Sequence, residues 1–170
     1  GISFNNRNKN VNIFGNYNYT NGKNRMVFDL YRDVLDTVFT GRNIMDNKNI
    51  SHGFKMGLDY TLNSKSTLGF LINGNLNDTK MQTNGTTNII YKPTGITDRI
   101  LKADNATVAD RNNLNFNINY RLADTAGREF SIDADYGLFR INTDQYQPNI
   151  YYNPSNTTEL SRTIYNFISP

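Results

Sequence analysis

From residue 114 to 122 the chain reads Leu-Asn-Phe-Asn-Ile-Asn-Tyr-Arg-Leu, apolar at every even position and polar or charged at every odd one. A period of two marks a β-strand with one apolar and one polar face. After a short polar stretch at 123–128, Phe130, Ile132, Ala134, Tyr136 and Leu138 take one parity, and Ser131, Asp133, Asp135 and Gly137 the other. The two runs therefore predict a hairpin. A loop over 123–127 that pairs Leu122 with Arg128 sets Tyr120 opposite Phe130, Ile118 opposite Ile132, Phe116 opposite Ala134 and Leu114 opposite Tyr136. Each arm carries about nine residues of alternation, close to what a tilted strand needs to cross a bilayer. Its polar face is too polar for a protein core, so the pattern predicts an apolar face on lipid and a polar face on a lumen.

The same pattern recurs along the chain. Ile2 and Phe4 precede a polar turn near 7–10, after which Val11, Ile13, Gly15, Tyr17 and Tyr19 alternate with Asn12, Asn16 and Asn18, and the strand runs on through Met26, Phe28 and Leu30. A third strand sets Phe54, Met56, Leu58, Tyr60 and Leu62 against Lys55, Gly57 and Asp59. A turn at 63–65 leads to Leu68, Phe70, Ile72, Gly74 and Leu76. Apolar parity on both sides requires an odd loop, which pairs Tyr60 with Leu68 and Leu58 with Phe70. A fifth strand begins near Thr107, a sixth passes Phe139 and Ile141, and an alternation from Ile164 to Ile168 starts a seventh. Tight turns near 7–10, 63–65 and 123–128 alternate with polar segments at 36–49, 84–106 and 144–160, which read as long loops at the other ends of the strands. Short turns on one rim and long loops on the other are the asymmetry of an outer-membrane barrel. The expected fold is all-β, an antiparallel up-and-down transmembrane β-barrel, with residues 1–170 forming a partial domain of about six to seven strands.

Composition sharpens this picture. Only 37% of the 170 residues are hydrophobic and the mean hydropathy is −0.63, which leaves little for a soluble core. Asparagine is the commonest residue, suited to turns and to a wet wall. Disorder is opposed by 11 Tyr and 10 Phe, many of them placed on alternating positions. No apolar run is long enough for a transmembrane helix. The absence of cysteine excludes disulfides, thiolate metal sites and thiol redox chemistry. The net charge of +3 comes from scattered Lys and Arg and reads as a solvated surface. The chain opens without Met or a leader-like segment and closes within an apolar alternation, as expected of a piece of a longer chain.

Candidate chemistry is sparse. His52, the only histidine, has no triad or metal partner in the sequence and reads as a structural or rim residue. Asp133 and Asp135 point the same way from one strand, which a two-carboxylate mechanism would need. The favoured reading is lumen lining, balanced by Arg121 or Lys55. The lumen-lining candidates are Lys55, Asp59, Asn73, Asn75, Asn115, Asn117, Asn119, Arg121, Asp133 and Asp135. Oxygen-rich stretches near 46–49 and 104–110 lack calcium-loop spacing. Sequons at Asn18, Asn49, Asn77, Asn84, Asn105 and Asn156 are what an asparagine-rich chain produces by chance, and the glycines inside strands sit in no nucleotide-binding motif. Aromatic residues lie on the parity opposite most charges, which argues against stacking on nucleic acid. Tyr146, Tyr151 and Tyr152, with Pro148 and Pro154, are candidate ligand contacts in an extracellular loop. The reading contains no catalytic residue, cofactor or metal site.

Residues 52–60, 66–76, 112–120 and 127–136 carry a further signal. These strand-and-turn phrases, His-Gly-Phe-Lys-Met-Gly-Leu-Asp-Tyr, Ser-Thr-Leu-Gly-Phe-Leu-Ile-Asn-Gly-Asn-Leu, Asn-Asn-Leu-Asn-Phe-Asn-Ile-Asn-Tyr and Gly-Arg-Glu-Phe-Ser-Ile-Asp-Ala-Asp-Tyr, resemble the outer-membrane β-barrel region of TonB-dependent-receptor-like proteins from the Bacteroidetes. The likeness runs from about Phe4 to Phe167 and carries no catalytic motif. It implies a barrel of roughly 22 strands with an N-terminal plug, located in a Gram-negative outer membrane and active in substrate uptake. The implied partners are outer-membrane lipid, the rest of the barrel and plug, TonB through a region N-terminal to this sequence, and a small-molecule, siderophore, glycan or peptide ligand. Two alternatives stand beside it: a soluble all-β binding or adhesion module closed as a sandwich, and a small structural outer-membrane barrel of about eight strands.

Overall fold

The computed structural model describes residues 1–124 and 126–169. They form seven strands: β1 (Ile2–Asn8), β2 (Val11–Val34), β3 (Thr37–Asn63), β4 (Ser66–Tyr91), β5 (Ile96–Ala123), β6 (Glu129–Tyr152) and β7 (Glu159–Ser169). All belong to one sheet in the order β1-β2-β3-β4-β5-β6-β7, so each strand is bonded to its neighbours in sequence. This is an all-β, antiparallel, up-and-down meander. β1 and β7 each have one bonded neighbour, so among the described residues the order is open.

The segments expected to be loops are strand. Residues 37–49 belong to β3, 84–91 to β4, 96–106 to β5 and 144–152 to β6. The connections shrink to residues 35–36, 92–95 and 153–158. Asn and Gly in these segments are turn formers, but here their backbone groups are taken up by the ladder with the adjoining strand, which outweighs local propensity. At Gly41 a Cβ would lie 2.5 Å from the Thr86 carbonyl oxygen and 2.9 Å from the Thr87 Cα. That glycine marks close approach of two backbones, not a loop.

The turns explain the register. β1 pairs with β2 from Ile2↔Tyr17 to Asn8↔Val11 around Lys9 and Asn10. At the β3–β4 turn the Asn63 side chain accepts from the Lys65 backbone N–H at 2.9 Å, an Asx-type closure. The β5–β6 turn departs from expectation. The Asp124 backbone N–H donates to the Arg128 carbonyl at 2.9 Å, and its carboxylate binds the Arg128 guanidinium at 2.7 Å and the Ala126 N–H. Asp124 thus draws the hairpin closed one step further than a Leu122/Arg128 pairing. Phe116 accordingly stacks on Tyr136, centroids 6.5 Å apart, where Ala134 was expected. A slip of two residues preserves the face of every side chain. Thr125, part of this predicted turn, lies outside the described residues.

By contacts the chain divides into two units. Unit 1 comprises Gly1–Asn21, Ile50–Asp78 and Asp110–Ile141; unit 2 comprises Gly22–Asn49, Thr79–Ala109 and Asn142–Pro170. The buried hydrophobic core among the described residues is a single side chain, Ala109. The chain exposes 11856 Å², whereas a close-packed monomer of this mass presents about 8500 Å². The sheet has not buried its own apolar face.

Candidate functional site

Unit 1 carries both faces of the predicted pattern. Ile13, Met56, Leu58, Phe70, Ile72, Phe116 and Ile118, from four adjacent strands, line one continuous apolar groove. They stay uncovered: Met56 and Ile118 are each 50% exposed. On the other parity, that of Lys55 and Asp59, glycine keeps the sheet flush where an aromatic ring lies across it. A Cβ on Gly57 would strike the Phe14 ring.

Polar-tipped rings bound the apolar face. At one end the Tyr17 hydroxyl is hydrogen-bonded to His52 Nδ1 at 2.7 Å, and the Tyr19 ring stands 5.0 Å from the imidazole. Tyr60 and Tyr120 share the apolar parity at the end nearer the 64–65 turn, where the Tyr120 hydroxyl donates to Ser66 Oγ at 3.2 Å. From His52 to Tyr60 is about 27 Å of strand, or roughly 20 Å when tilted as barrel strands are. His52 belongs to the end of the face where it contacts Tyr17 and Tyr19.

The opposite face is a lattice of amides and carboxylates. Asn12 donates to Asp59 at 3.3 Å, Asn115 to Asn73 at 3.1 Å, Asn119 to Asn117 at 2.9 Å and Asn117 to Asp135 at 2.8 Å. Asn75 accepts from the Ser51 hydroxyl at 2.9 Å. All but the Asn119–Asn117 bond, which lies within β5, run between strands, and together they tie Asp59, Asn73, Asn75, Asn115, Asn117, Asn119 and Asp135 into the same wall, with exposed Lys55 and Asp133 on the same parity. Arg121 does not balance Asp133 or Asp135. It pairs with Glu129 at 2.8 Å, the carboxylate that the Asp124-closed turn brings beside it. Among the described residues no group of three or more His, Asp or Glu is placed to hold a metal ion.

In unit 2 the three tyrosines are strand residues. Tyr146, Tyr151 and Tyr152 lie on β6 and pair with Asn166, Ser161 and Glu159 of β7, with a bulge between Tyr151 and Tyr152. The Lys102 ammonium sits 5.0 Å over the Tyr152 ring, a cation–π contact. Pro148, expected in the loop, is buried in β6 opposite Ile164, and Pro154 lies in the connection closed by Asn153, whose side-chain oxygen accepts from the Thr157 and Thr158 N–H groups.

Charge pairs also mark unit 2. Arg25 grips Asp46 through two bonds of 2.6 and 2.8 Å, which hold the Asp46 carboxyl below its ordinary range and raise Arg25. Arg42 reaches Asp29 at 3.0 Å, and Lys92 reaches Asp33 at 2.8 Å. The sequence shows Asp46 only as part of an oxygen-rich stretch and pairs none of these residues, because a pair facing across two strands is visible only once the turn at 35–36 is set.

Fold and faces together define a class: an all-β antiparallel meander with one uncovered apolar face and one hydrogen-bonded polar face. No protein-family model and no curated protein matches the sequence.

Proposed function

We propose that the chain forms part of the wall of a bacterial outer-membrane β-barrel of the TonB-dependent-receptor-like class, serving substrate uptake without covalent chemistry. The observation that carries this reading is the apolar face of unit 1, rimmed by Tyr17, Tyr19 and His52 at one end and Tyr60 and Tyr120 at the other. The rim-to-rim span of roughly 20 Å approaches the apolar band of about 25 Å that a lipid-facing wall carries between its aromatic girdles. The asparagine lattice on the other parity suits a water-filled lumen, since each amide can both donate and accept. A soluble sandwich would bury the groove from Ile13 to Ile118 under a second sheet, whereas Met56, Phe70 and Ile118 in it are exposed. The family resemblance supplies the receptor class, and the ligand, plug and TonB contact follow from it as expectations. Among the described residues no helix is long and apolar enough to cross a membrane.

Flotation of the chain with phosphatidylcholine vesicles, followed by urea titration of the inserted form, tests the assignment of faces. Phe116→Arg and Ile132→Arg are each expected to lower membrane-folded stability by about 2 to 4 kcal/mol. Asn117→Arg, beside Asp135, is expected to cost little. Equal tolerance on both parities overturns the barrel and favours the sandwich.

A further inference from the structure

Three lysines of unit 2 stand in a row across three strands. The Arg25–Asp46 and Arg42–Asp29 pairs fix β2 against β3, and the Thr79–Asn49 hydrogen bond of 3.1 Å fixes β3 against β4. Lys23, Lys48 and Lys80 come one from each of these three neighbouring strands, and like charges on neighbouring strands of a sheet repel. All three line one groove of ≈ 530 Å³, with Val108 on its wall. All three are exposed. Among the described residues none of the three forms an ion pair, while the neighbouring Arg25 is neutralised by Asp46. Three adjacent ammonium groups on a rigid ladder are an arrangement that an anion with several oxygens relieves.

We infer that the Lys23, Lys48 and Lys80 row binds the phosphate of an anionic lipid headgroup. The inference rests on the membrane reading proposed above. In the sequence each lysine stands four residues from a member of the apolar parity on its own strand: Lys23 from Tyr19, Lys48 from His52 and Lys80 from Leu76. Lysine is a point-charge phosphate binder that needs no fixed fork geometry, so three of them can share one phosphate.

The test is native mass spectrometry of the intact chain in neutral detergent, titrated separately with phosphatidic acid, phosphatidylcholine and inorganic phosphate. The wild type is expected to retain phosphatidic acid over phosphatidylcholine. In the triple variant Lys23→Gln, Lys48→Gln, Lys80→Gln its apparent affinity is expected to fall about a hundredfold. Asp46→Asn, which releases Arg25 into the same groove, is expected to tighten it, and that gain cannot arise from misfolding. Equal retention by wild type and triple variant overturns the site, and so does displacement of phosphatidic acid by inorganic phosphate at matched concentration, which would assign the row to a free anion. Flotation with phosphatidylcholine vesicles reports on the membrane reading separately. A chain that floats but holds phosphatidic acid without regard to the lysines refutes only the headgroup site.

Discussion

At Leu35 the backbone holds φ at 52° with the side chain 88% exposed, so a leucine occupies the left-handed region for no packing gain. Such a residue costs about 1 to 2 kcal/mol relative to one that accepts the conformation. Leu35→Asn is therefore expected to raise stability by about 1 kcal/mol and Leu35→Val to lower it, read from urea midpoints. Asp46 makes a second prediction at this scale. Its hydrogen bonds from Arg25 lower its pKa from the ordinary 3.8, so the folded state binds that proton less readily than the unfolded one. The stabilisation is complete above the unfolded value and is lost as pH falls through the folded one, below 3.8. Carboxyl NMR should place the Asp46 midpoint beneath that of an unpaired aspartate, and Arg25→Gln should return it. A midpoint that ignores Arg25 would remove the pair from solution.

Individual strands show what the alternation could and could not reveal. The parity of 54–62, 68–76, 114–122 and 130–138 was legible because each apolar side chain shares one face, and the faces survive a slip of two. The register at 123–128 was not legible, because it turns on Asp124 capping its own hairpin. The strands through 37–49 and 84–91 were hidden for a related reason: Asn, Gly and Thr there resemble a loop until a neighbouring ladder claims their amides. In β2 the apolar parity itself changes, from Ile13, Tyr17 and Tyr19 to Met26, Phe28 and Leu30, which a single period-two reading blurs. The asparagine-rich parity is legible residue by residue, but the lysine groove draws one residue from each of three strands. Glycine tests the ladder. Gly41→Ala, pressed against the Thr86 and Thr87 backbone, should destabilise by about 1 to 3 kcal/mol. Gly22→Ala, with open space around the added carbon, should be neutral or stabilise by up to about 1 kcal/mol. Matching effects at the two sites would contradict the close strand approach at 41.

For the molecule as a whole, the uncovered groove and the sides of β1 and β7 that have no bonded neighbour among the described residues act together. A sheet with an apolar face and free edges recruits other chains in water. Residues 1–170 in plain buffer are expected to elute from size exclusion as aggregates, which detergent disperses. A sharp monomer peak with a cooperative melt in plain buffer is incompatible with a lipid-facing wall.

The meander order has a mechanical consequence. Every strand is bonded only to those before and after it, so no strand is locked beneath a later one, and tension applied at a chain end loads the ladder one rung at a time. Pulled from the β7 end, the sheet gives way in discrete hairpins, each releasing two strands. The β4 and β5 pair alone pays out about 200 Å of slack chain. Between such steps the remaining strands keep their rungs, and the force trace becomes a ruler that counts hairpins from the tip inward.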